Sequence, residues 1–465
     1  MYIIYRMKIK HIYDIEKETI KKGVITICGW VNQTRNQTNI IFLNVNDGSD
    51  PNGLQIVCKA DNKKIFTRCQ EIHNGCYIKV QGKIIESPAK GQIYELVLSN
   101  IDTIHTCDIN SYPLKKNVKL RTFRQIPHFR AKSKAFGCIY RIRNTLMYET
   151  HKFLQEQDFL HLDPNIITTN ECEGGAGVFT VTELLHKDGK QNIDFTKDHF
   201  KKQTYLTVSS QLQLEALACG MGNCYTTNKS FRSEHSLTNK HVSEFTHLEI
   251  EMIDNTNKDL MDIGEKYIKH IIRKVYSKNR DDICTLDKFV SKGLLDKYEE
   301  FLSLTFTRIS YDRAIETIKK YSDIKVTYGD DLSSEMEEFL TVFYCGAVFV
   351  YDWPFEIKSF YMRLKNKSDK NIVLCENFDL LMPYGIGELI GGSMREHNYD
   401  ILLENMKEKN VSLEGMEWYT DLRKYGTVPH GGFGLGMDRL LMLITGIQNI
   451  KDVIPFPVYY TNCSY

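Results

Sequence analysis

The most informative part of this sequence is the glycine-rich stretch Val428-Pro429-His430-Gly431-Gly432-Phe433-Gly434-Leu435-Gly436-Met437-Asp438-Arg439. Its glycines let the backbone approach a ligand closely, and they allow a positive φ. Arg439 ends the stretch, just before the helix-like run Leu440–Thr445. A planar guanidinium held there can stack on a base or bind a phosphate. Taken alone the pattern also fits an ordinary glycine-rich turn, so its meaning depends on the rest of the chain.

A second informative region lies upstream, where Phe231-Arg232-Ser233-Glu234 is followed by His241-Val242-Ser243-Glu244-Phe245. This pattern predicts a strand, a loop and a strand. Arg232 can neutralise a phosphate under attack as negative charge builds on it, and Glu234 can accept from an amino group. Phe245 offers one face to a purine and Arg439 can cover the other. The predicted ATP contacts are Arg232, Glu234, Lys240, His241, Phe245 and Arg439. Of these, His241 or Lys240 can contact the terminal phosphate.

Together the two regions resemble motifs 2 and 3 of the class II aminoacyl-tRNA synthetases. The resemblance implies that an amino acid is activated with ATP and transferred from the adenylate to a tRNA ribose hydroxyl. Such chemistry needs no protein nucleophile, because positioning and charge neutralisation do most of the work. Arg232, Arg439 and Glu388 are therefore the predicted catalytic residues.

Composition limits the other classes of protein. A chain of 465 residues is too long for one ordinary core, so two or more domains are expected. No run approaches a membrane span and the start lacks a signal peptide, which predicts a cytoplasmic protein without membrane contact. The 13 cysteines are scattered without a CxxC pair, which argues against a disulfide framework or a zinc site. Because the net charge is only +1, a nucleic-acid partner would need a local basic surface.

Five short strands with turn signals are predicted between about residues 23 and 104. They are Val24–Val31, Asn39–Val45, Leu54–Cys58, Tyr77–Val80 and Tyr94–Leu98. Five such strands fit an OB barrel, a fold that binds oligonucleotides on one face. The candidate anticodon contacts are Arg35, Phe42 and Gln55. Phe42 could instead be a core residue, whereas an exposed phenylalanine there would stack on an unpaired base.

A basic segment and a helix follow the barrel. Residues 111–134 hold eight lysines and arginines and no acid, which fits either a solvated linker or a phosphate contact. Between Arg130 and Gln157 an apolar stripe at helical spacing predicts a long helix. Helix, strand and Pro164 in this order resemble motif 1, the dimer interface of the class. The resemblance therefore implies a homodimer.

Two acids stand in apolar, glycine-flanked settings, Asp379 in Asn377–Leu381 and Glu388 in Gly385–Ser393. A lone buried acid is costly unless it is paired or bound to a metal. Carboxylate oxygens suit Mg²⁺, which would also hold the phosphates of ATP. The alternative, a pair of helix-capping acids, is less favoured because neither residue precedes an obvious helix. Asp379 and Glu388 are the predicted metal ligands.

These elements predict an α+β fold with an all-β N-terminal domain. The expected domains are an OB-fold anticodon-binding domain at 1–108, a basic hinge at 109–133 and a class II catalytic domain at 134–465. The catalytic domain is expected to be an antiparallel sheet flanked by helices, with a helical insertion at about 255–330.

The resemblance narrows to the aspartate, asparagine and lysine branch, and four stretches resemble asparaginyl-tRNA synthetases in particular. They are Tyr205–Glu215, Val350–Met362, Gly387–Glu396 and Asp452–Pro457. They imply that the substrates are L-asparagine, ATP and tRNA-Asn.

The residues give a physical reason for asparagine. In the aspartate enzymes a lysine stands where Leu214 is, and it pairs with the substrate carboxylate. A neutral amide needs one donor and one acceptor instead. Arg395 can donate to the amide oxygen and Glu234 could accept from the amide nitrogen. Glu173, which matches a loop that closes on the α-ammonium, and Gln211 complete the predicted amino-acid contacts.

Three positions depart from the family pattern. Lys240 replaces a usual arginine and keeps the charge without the bidentate fork. Gly177 replaces a common glutamate of the closing loop, which is therefore expected to be less ordered. Asp438 stands in for a glutamate beside Arg439.

Three alternatives remain open from the sequence. An aspartyl-tRNA synthetase, discriminating or not, shares most of these motifs. An ammonia-dependent asparagine synthetase has a related catalytic domain but lacks an anticodon-binding barrel. An inactive tRNA-binding paralogue would be expected to lose Arg232, Arg439 or Glu388, and all three are present.

Overall fold

The structure is a computed structural model that describes most of the chain, in the ranges 5–14, 23–89, 91–114, 118–170, 177–184, 193–365 and 372–465. The chain divides into two compact units, Met1–Cys138 and Ile139–Tyr465. None of the described helices is long and apolar enough to cross a membrane.

The first unit contains a closed β-barrel. Its described strands are β1 (Tyr5–Arg6), β2 (Ile25–Asn36), β3 (Ile40–Asn46), β4 (Leu54–Lys59), β5 (Tyr77–Glu86) and β6 (Tyr94–His105). The order β2-β3-β4-β6-β5 is closed by pairing of β2 with β5, while β1 adds a parallel edge strand to β2. The predicted OB fold is confirmed. Two short helices, α1 (Ile9–Asp14) and α2 (Lys63–Gln70), were not predicted from the sequence.

Burial alternates along the barrel strands. In β3 the side chains of Ile41, Leu43 and Val45 are fully buried, whereas Phe42 between them is only half-buried. Since successive side chains of a strand point to opposite faces, Phe42 lies on the outer face of the barrel. The core interpretation of Phe42 is therefore wrong.

The basic segment after the barrel is partly structural. Arg130 is fully buried, its Nε donates to the carbonyl oxygen of Phe123 at 3.2 Å, and its guanidinium lies 4.7 Å from the ring centre of Phe136. Because Arg130 is buried, both predicted roles of the basic segment, a solvated linker and a phosphate contact, are wrong for this residue. Lys115 and Lys116 lie outside the described residues.

The second unit is built on a large sheet. The described strands of this unit are β7 (Leu160–His161), β8 (Ile167–Thr168), β9 (Thr180–Val181), β10 (Thr204–Leu206), β11 (Cys224–Phe231), β12 (Glu244–Ile253), β13 (Phe306–Ser310), β14 (Ala347–Tyr351), β15 (Leu364–Lys365), β16 (Leu374–Cys375), β17 (Asn377–Met382), β18 (Gly387–Met394) and β19 (His430–Gly436). The main sheet has the order β13-β14-β17-β18-β19-β12-β11-β7. Its central pairs are antiparallel, as expected, and only β13–β14 and β7–β11 are parallel.

Helices accompany this sheet. The described ones are α3 (Lys134–Glu156), α4 (Gln211–Met221), α5 (Asn257–Lys278), α6 (Arg280–Phe289), α7 (Leu294–Leu302), α8 (Tyr311–Tyr321), α9 (Ser334–Phe343), α10 (Tyr399–Glu408), α11 (Glu417–Lys424) and α12 (Met437–Thr445). The long helix predicted after residue 130 is α3, and Ile139, Ile142 and Leu146 of its stripe are buried. The run after Arg439 is α12.

The glycine-rich stretch forms β19, in the middle of the sheet. A Cβ on Gly432 would lie 2.0 Å from the carbonyl oxygen of Ile250, and one on Gly434 would lie 2.5 Å from Nε2 of His247. These glycines are thus needed for close approach to the neighbouring strand β12, whereas the predicted close approach to a ligand stays a prediction. The expected positive φ is wrong for β19, because none of its glycines has one.

Candidate active site and nucleic-acid interface

Two cavities open over the central strands of the second unit. Their volumes are about 280 Å³ and about 250 Å³. Strands β12, β18 and β19 and the residue after β11 contribute to both walls. The residues that line both cavities are Arg232, His247, Glu388, Gly391 and Gly434. The cavities are therefore neighbours that share a boundary, which suits two substrates that must react with each other.

The first cavity ends at a buried ion pair. Nε and Nη2 of Arg395 donate to the two carboxylate oxygens of Glu251, each at 3.0 Å. Nη1 of Arg395 also donates to Oγ of Ser393 at 2.7 Å. Leu214 and Gln211 of α4 line the same cavity. Three predicted determinants of amino-acid recognition, Leu214, Gln211 and Arg395, are thus brought together.

Behind this pair lies a charged network centred on Glu215. Oε2 of Glu215 accepts from Nη2 of Arg423 at 2.7 Å and from the hydroxyl of Tyr419 at 2.8 Å, and His430 lies 3.1 Å away. Burial opposes ionisation of Glu215, but Arg423 and His430 outweigh it and hold the pKa of this carboxyl below its usual range. Oε1 of Glu215 lies 3.8 Å from Nε of Arg395, so the network also stabilises the charge of that guanidinium.

Lys358 and Asp379 form a second pair in the first cavity. Nζ of Lys358 donates to Oδ2 of Asp379 at 2.8 Å and lies 3.9 Å from the ring centre of Trp353. Burial and the nearby Glu388 raise the pKa of Asp379 to about 6, although Lys358 opposes the shift. Burial would lower the pKa of Lys358, but Asp379 reverses this and the pKa of the ammonium group is raised.

The second cavity is lined by less buried side chains. The guanidinium of Arg232 lies 5.6 Å from the ring centre of Phe245. Nη1 of Arg439 donates to the carbonyl oxygen of Glu388 at 2.7 Å. The six predicted ATP contacts all line this cavity, and they are Arg232, Glu234, Lys240, His241, Phe245 and Arg439. Burial and then the charge of Arg439 lower the pKa of His241.

Two further residues support this cavity. Asp438 is buried, its Oδ2 accepts from the backbone N–H of Thr246 at 2.8 Å, and it pairs with Arg143 of α3. Oε2 of Glu337, on α9, lies 3.9 Å from Nζ of Lys240. Burial and the charge of Glu388 raise the pKa of Glu337 to about 7. Helix α9 thus brings a carboxylate next to a predicted phosphate contact.

Some predicted amino-acid contacts are placed elsewhere. Glu234 lines the second cavity and is not among the described residues that line the first. Glu173 lies outside the described residues. The backbone N–H of Ser233 donates to the carbonyl oxygen of Gly177 at 2.8 Å, and a Cβ on Gly177 would lie 2.6 Å from Oγ of Ser233. A glutamate at position 177 would therefore require Ser233 to move.

The two predicted metal ligands lie on neighbouring strands, β17 and β18. A Cβ on Gly391 would be 3.0 Å from Oε1 of Glu388 and 3.6 Å from Oδ1 of Asp379, so both carboxylates flank this glycine. No group of three or more acidic, histidine or cysteine side chains suited to a metal is found among the described residues. Glu388 lines both cavities, whereas Asp379 lines the first and its Oδ2 accepts from Lys358. Glu388 and the other oxygen of Asp379 fit Mg²⁺, which is usually held by one or two carboxylates plus phosphates and water.

The predicted anticodon contacts lie together on the outer face of the barrel. Nη2 of Arg35 donates to Oε1 of Gln55 at 3.3 Å, and the guanidinium of Arg35 lies 5.6 Å from the ring centre of Phe42. Cross-strand register places Arg35 opposite Phe42 on β2 and β3. An aromatic ring, a cation and an amide are the groups that stack on and hydrogen-bond with unpaired bases.

Sequence reasoning missed several residues of the site. Glu215 and Lys358 lie inside two of the stretches that resemble asparaginyl-tRNA synthetases, and Glu251 lies six residues after Phe245, but no role was predicted for them. Their signal is a charged residue within an apolar stretch, which indicates a paired group when it is buried. Glu337 carried no such signal, because α9 has the pattern of an ordinary amphipathic helix.

Comparison with known proteins agrees with this geometry. Residues 121–459 match the family described as tRNA synthetases class II (D, K and N), and residues 25–104 match the OB-fold nucleic acid binding domain. The asparagine–tRNA ligase of Clostridium tetani is 38% identical over 97% of this chain and 98% of its own length. That of Treponema denticola is 39% identical over 96% of this chain and 98% of its own length.

A solved structure shows the same architecture. The asparaginyl-tRNA synthetase from Pyrococcus horikoshii, complexed with asparaginyl-adenylate, superposes with a TM-score of 0.83 at 28% identity. The match covers 97% of this chain and 99% of that one. With the family match over most of the sequence and relatives of this similarity, the chain belongs to the asparagine–tRNA ligases of the class II tRNA synthetases.

Proposed function

We propose that the protein activates L-asparagine with ATP to asparaginyl-adenylate and pyrophosphate, and then transfers asparagine to the 3′-terminal ribose of tRNA-Asn with release of AMP. The observation that carries this proposal is the pair of adjoining cavities with Arg232 on their common wall. One has a donor–acceptor pair at its end and the other is lined with cations and an aromatic ring. The relatives named above are asparagine–tRNA ligases.

ATP binds in the second cavity. Its purine lies between Phe245 and Arg439, and Glu234 accepts a hydrogen bond from its amino group. Lys240 and His241 contact the terminal phosphates. Arg232 reaches the α-phosphate at the common wall and neutralises the charge that builds there during attack. The protein supplies position and charge, which is the main requirement of a phosphoryl-type transfer.

Asparagine binds in the first cavity with its side chain towards Arg395 and Glu251. The guanidinium keeps N–H groups beyond those given to Glu251 and Ser393, so it can donate to the amide oxygen. Glu251, rather than Glu234, is the acceptor for the amide nitrogen, because Glu251 lines this cavity. Aspartate would bring a second carboxylate next to Glu251, and Leu214 offers no compensating cation. Gln211 and Glu173 contact the α-ammonium.

Mg²⁺ is the expected metal. Asp379 and Glu388 would hold it with the phosphates, and when bound it would neutralise part of their charge. The protein's own cations around the second cavity act in the same direction. The arginines around the second cavity and this ion would together balance the charge of the tetra-anionic nucleotide.

The barrel binds the anticodon of tRNA-Asn. Arg35, Phe42 and Gln55 supply a cation, a stacking surface and a hydrogen-bonding amide on one outer face. We expect the domain limits to be 1–108 for the barrel, 109–133 for the basic hinge and 134–465 for the catalytic domain. The expected location is the cytoplasm, where the free cysteines of the described residues would stay reduced.

The protein works as a homodimer. Helix α3 carries Tyr148, which is 60% exposed, and Leu160 and Ile167 near Pro164 are exposed as well. Exposed apolar side chains around the edge strand β7 are suited to a two-fold interface. Light scattering at micromolar concentration should give twice the chain mass of 54.1 kDa. A monomer at that concentration would contradict the dimer.

ATP–pyrophosphate exchange with each of the 20 amino acids tests the activation step. Exchange should depend on asparagine, and the same preparation should esterify tRNA-Asn with it. Exchange that depends on another amino acid, or no exchange at all, would contradict the proposed function.

A further inference from the structure

We propose that Lys358 contacts the substrate, and that its ammonium group binds the α-carboxylate of the amino acid. The inference rests on the proposed function, since it extends the recognition of L-asparagine in the first cavity. Lys358 lines this cavity and is not among the described residues that line the second. Its side chain is 15% exposed, so it is a largely buried cation inside an amino-acid pocket.

The other cations of the first cavity have different tasks. The described lysines and arginines that line it are Arg232, Lys358 and Arg395. Arg395 is tied to Glu251 by two hydrogen bonds and faces the side-chain amide. Arg232 lines both cavities and is assigned above to the α-phosphate. A zwitterionic amino acid brings a carboxylate into this cavity, and Lys358 is the cation left to neutralise it.

The geometry leaves the ammonium group able to bind a second anion. An ammonium has three N–H donors, and one of them is used by Oδ2 of Asp379 at 2.8 Å. The ring of Trp353 covers another side, with its centre 3.9 Å from Nζ. The hydrogen bond to Asp379 holds the ammonium group in place, and a remaining donor can serve the substrate.

The contact with Lys358 matters most before the adenylate forms, while the amino acid still carries a free carboxylate. One oxygen of the α-carboxylate forms a bond to the α-phosphorus, while the bond from that phosphorus to the bridging oxygen breaks and pyrophosphate leaves with the electron pair. The carboxylate becomes a neutral acyl group in the adenylate. A cation at the carboxylate is therefore used chiefly by free asparagine, and its loss should appear in the binding of asparagine.

L-Asparaginol separates this role from a merely structural one. It keeps the amide and the amine of asparagine but carries a hydroxymethyl group instead of the carboxylate. In calorimetric titrations of the full chain without ATP, Lys358→Met should weaken L-asparagine binding by about 10- to 100-fold, the usual range for a hydrogen bond to a charged group. Its affinity for L-asparaginol should stay within about twofold. Lys358→Arg should restore part of the asparagine affinity.

Lys365 provides the matched control. It pairs with Asp352 at 2.6 Å, as Lys358 pairs with Asp379, but its side chain is 48% exposed and it does not line the described part of either cavity. Lys365→Met should leave both affinities unchanged. If Lys358→Met does not fold, the double variant Lys358→Met with Asp379→Asn avoids a buried unpaired carboxylate and should show the same selective loss.

Two results would overturn the proposal. One is an equal loss of both ligands in these variants, which would make Lys358 a structural residue. The other is asparagine affinity that does not change. A wild-type protein that binds neither asparagine nor asparaginol would overturn the proposed function, and this inference with it.

Discussion

The two cavities differ in how their charges are held. Around the first, Glu215, Glu251 and Arg395 are almost completely buried and bonded to one another. Around the second, Arg232 and Arg439 are half-buried and come from a loop and the first turn of a helix. Under the proposed assignment, the amino acid would meet buried charges that are already paired with one another, whereas ATP would meet arginines that are less completely buried.

Arg395→Ala should show the largest effect, because it leaves Glu251 buried without its guanidinium partner. Breaking a buried pair costs about 3–5 kcal/mol, so the free energy of unfolding in urea should fall by that amount and exchange with asparagine should be lost. Arg363→Ala is the control, since Arg363 pairs with Glu376 at a more exposed site. Its cost should be about 1 kcal/mol or less. If Arg395→Ala and Arg363→Ala lower the free energy of unfolding equally, the contrast between the buried ion pair and the more exposed one is wrong.

Arg232→Ala and Arg439→Ala test the second cavity. Each should lower ATP–pyrophosphate exchange by about 10²–10³, because a charge-assisted contact to the nucleotide is lost. The free energy of unfolding and the affinity for tRNA should stay near the wild-type values, since both arginines are half-buried and assigned to ATP. Arg313→Ala, at an exposed arginine of α8, should change neither activity nor stability. Exchange near the wild-type rate in either cavity variant would refute the ATP assignment.

Phe42→Ala extends the comparison to the barrel. A lost base stack is worth roughly 1–3 kcal/mol, so the affinity for tRNA-Asn should fall about tenfold or more. Exchange with asparagine, which needs no tRNA, should not slow. Trp30 provides the control, because it is an exposed aromatic residue of β2 that packs against Tyr77. Trp30→Ala should leave the affinity unchanged. A stable Phe42→Ala protein that binds tRNA normally would end the anticodon assignment.

Glu337→Gln should have the smallest effect, and this effect should appear in the pH dependence of the free energy of unfolding. The pKa of Glu337 is raised to about 7, so the native state keeps a proton that the unfolded chain releases from about pH 4.5 upwards. This contribution is fully present below that pH and is lost as the pH rises through 7. The wild type should lose on the order of 1–2 kcal/mol more than the variant across this window.

The control for this titration lies on the same helix. Glu335 is exposed on α9, so Glu335→Gln should keep the slope of the wild type. If Glu337→Gln also keeps that slope in urea unfolding between pH 4.5 and 7, the carboxylate next to Lys240 does not titrate as the structure indicates.

The second cavity could be predicted from the sequence far better than the first. Its predicted contacts fall in two short segments, Arg232–Phe245 and His430–Arg439, and each segment is a recognisable local pattern. Pairing of β12 with β19 then brings the two segments together. The barrel was predictable for a similar reason, because alternating burial along its strands is a local pattern. Positive φ in β19 was wrong, since the glycines there serve close approach between extended strands.

The first cavity is assembled from distant parts of the chain. Glu215, Glu251 and Arg395 meet only because α4, β12 and β18 are packed on one sheet. No local pattern tells which carboxylate will face which guanidinium, and the sequence therefore predicted Glu234 as the acceptor. Glu337 needed the packing of α9 near Lys240 in the same way.

The central claim is that Arg395, Glu251 and Leu214 select a neutral amide. ATP–pyrophosphate exchange by the wild-type protein, measured with asparagine and aspartate at equal concentrations, tests it most directly. Because a site built for hydrogen bonding rejects an ill-matched substrate strongly, kcat/KM for asparagine should exceed that for aspartate by at least about 100-fold. Equal values for the two amino acids would contradict the account.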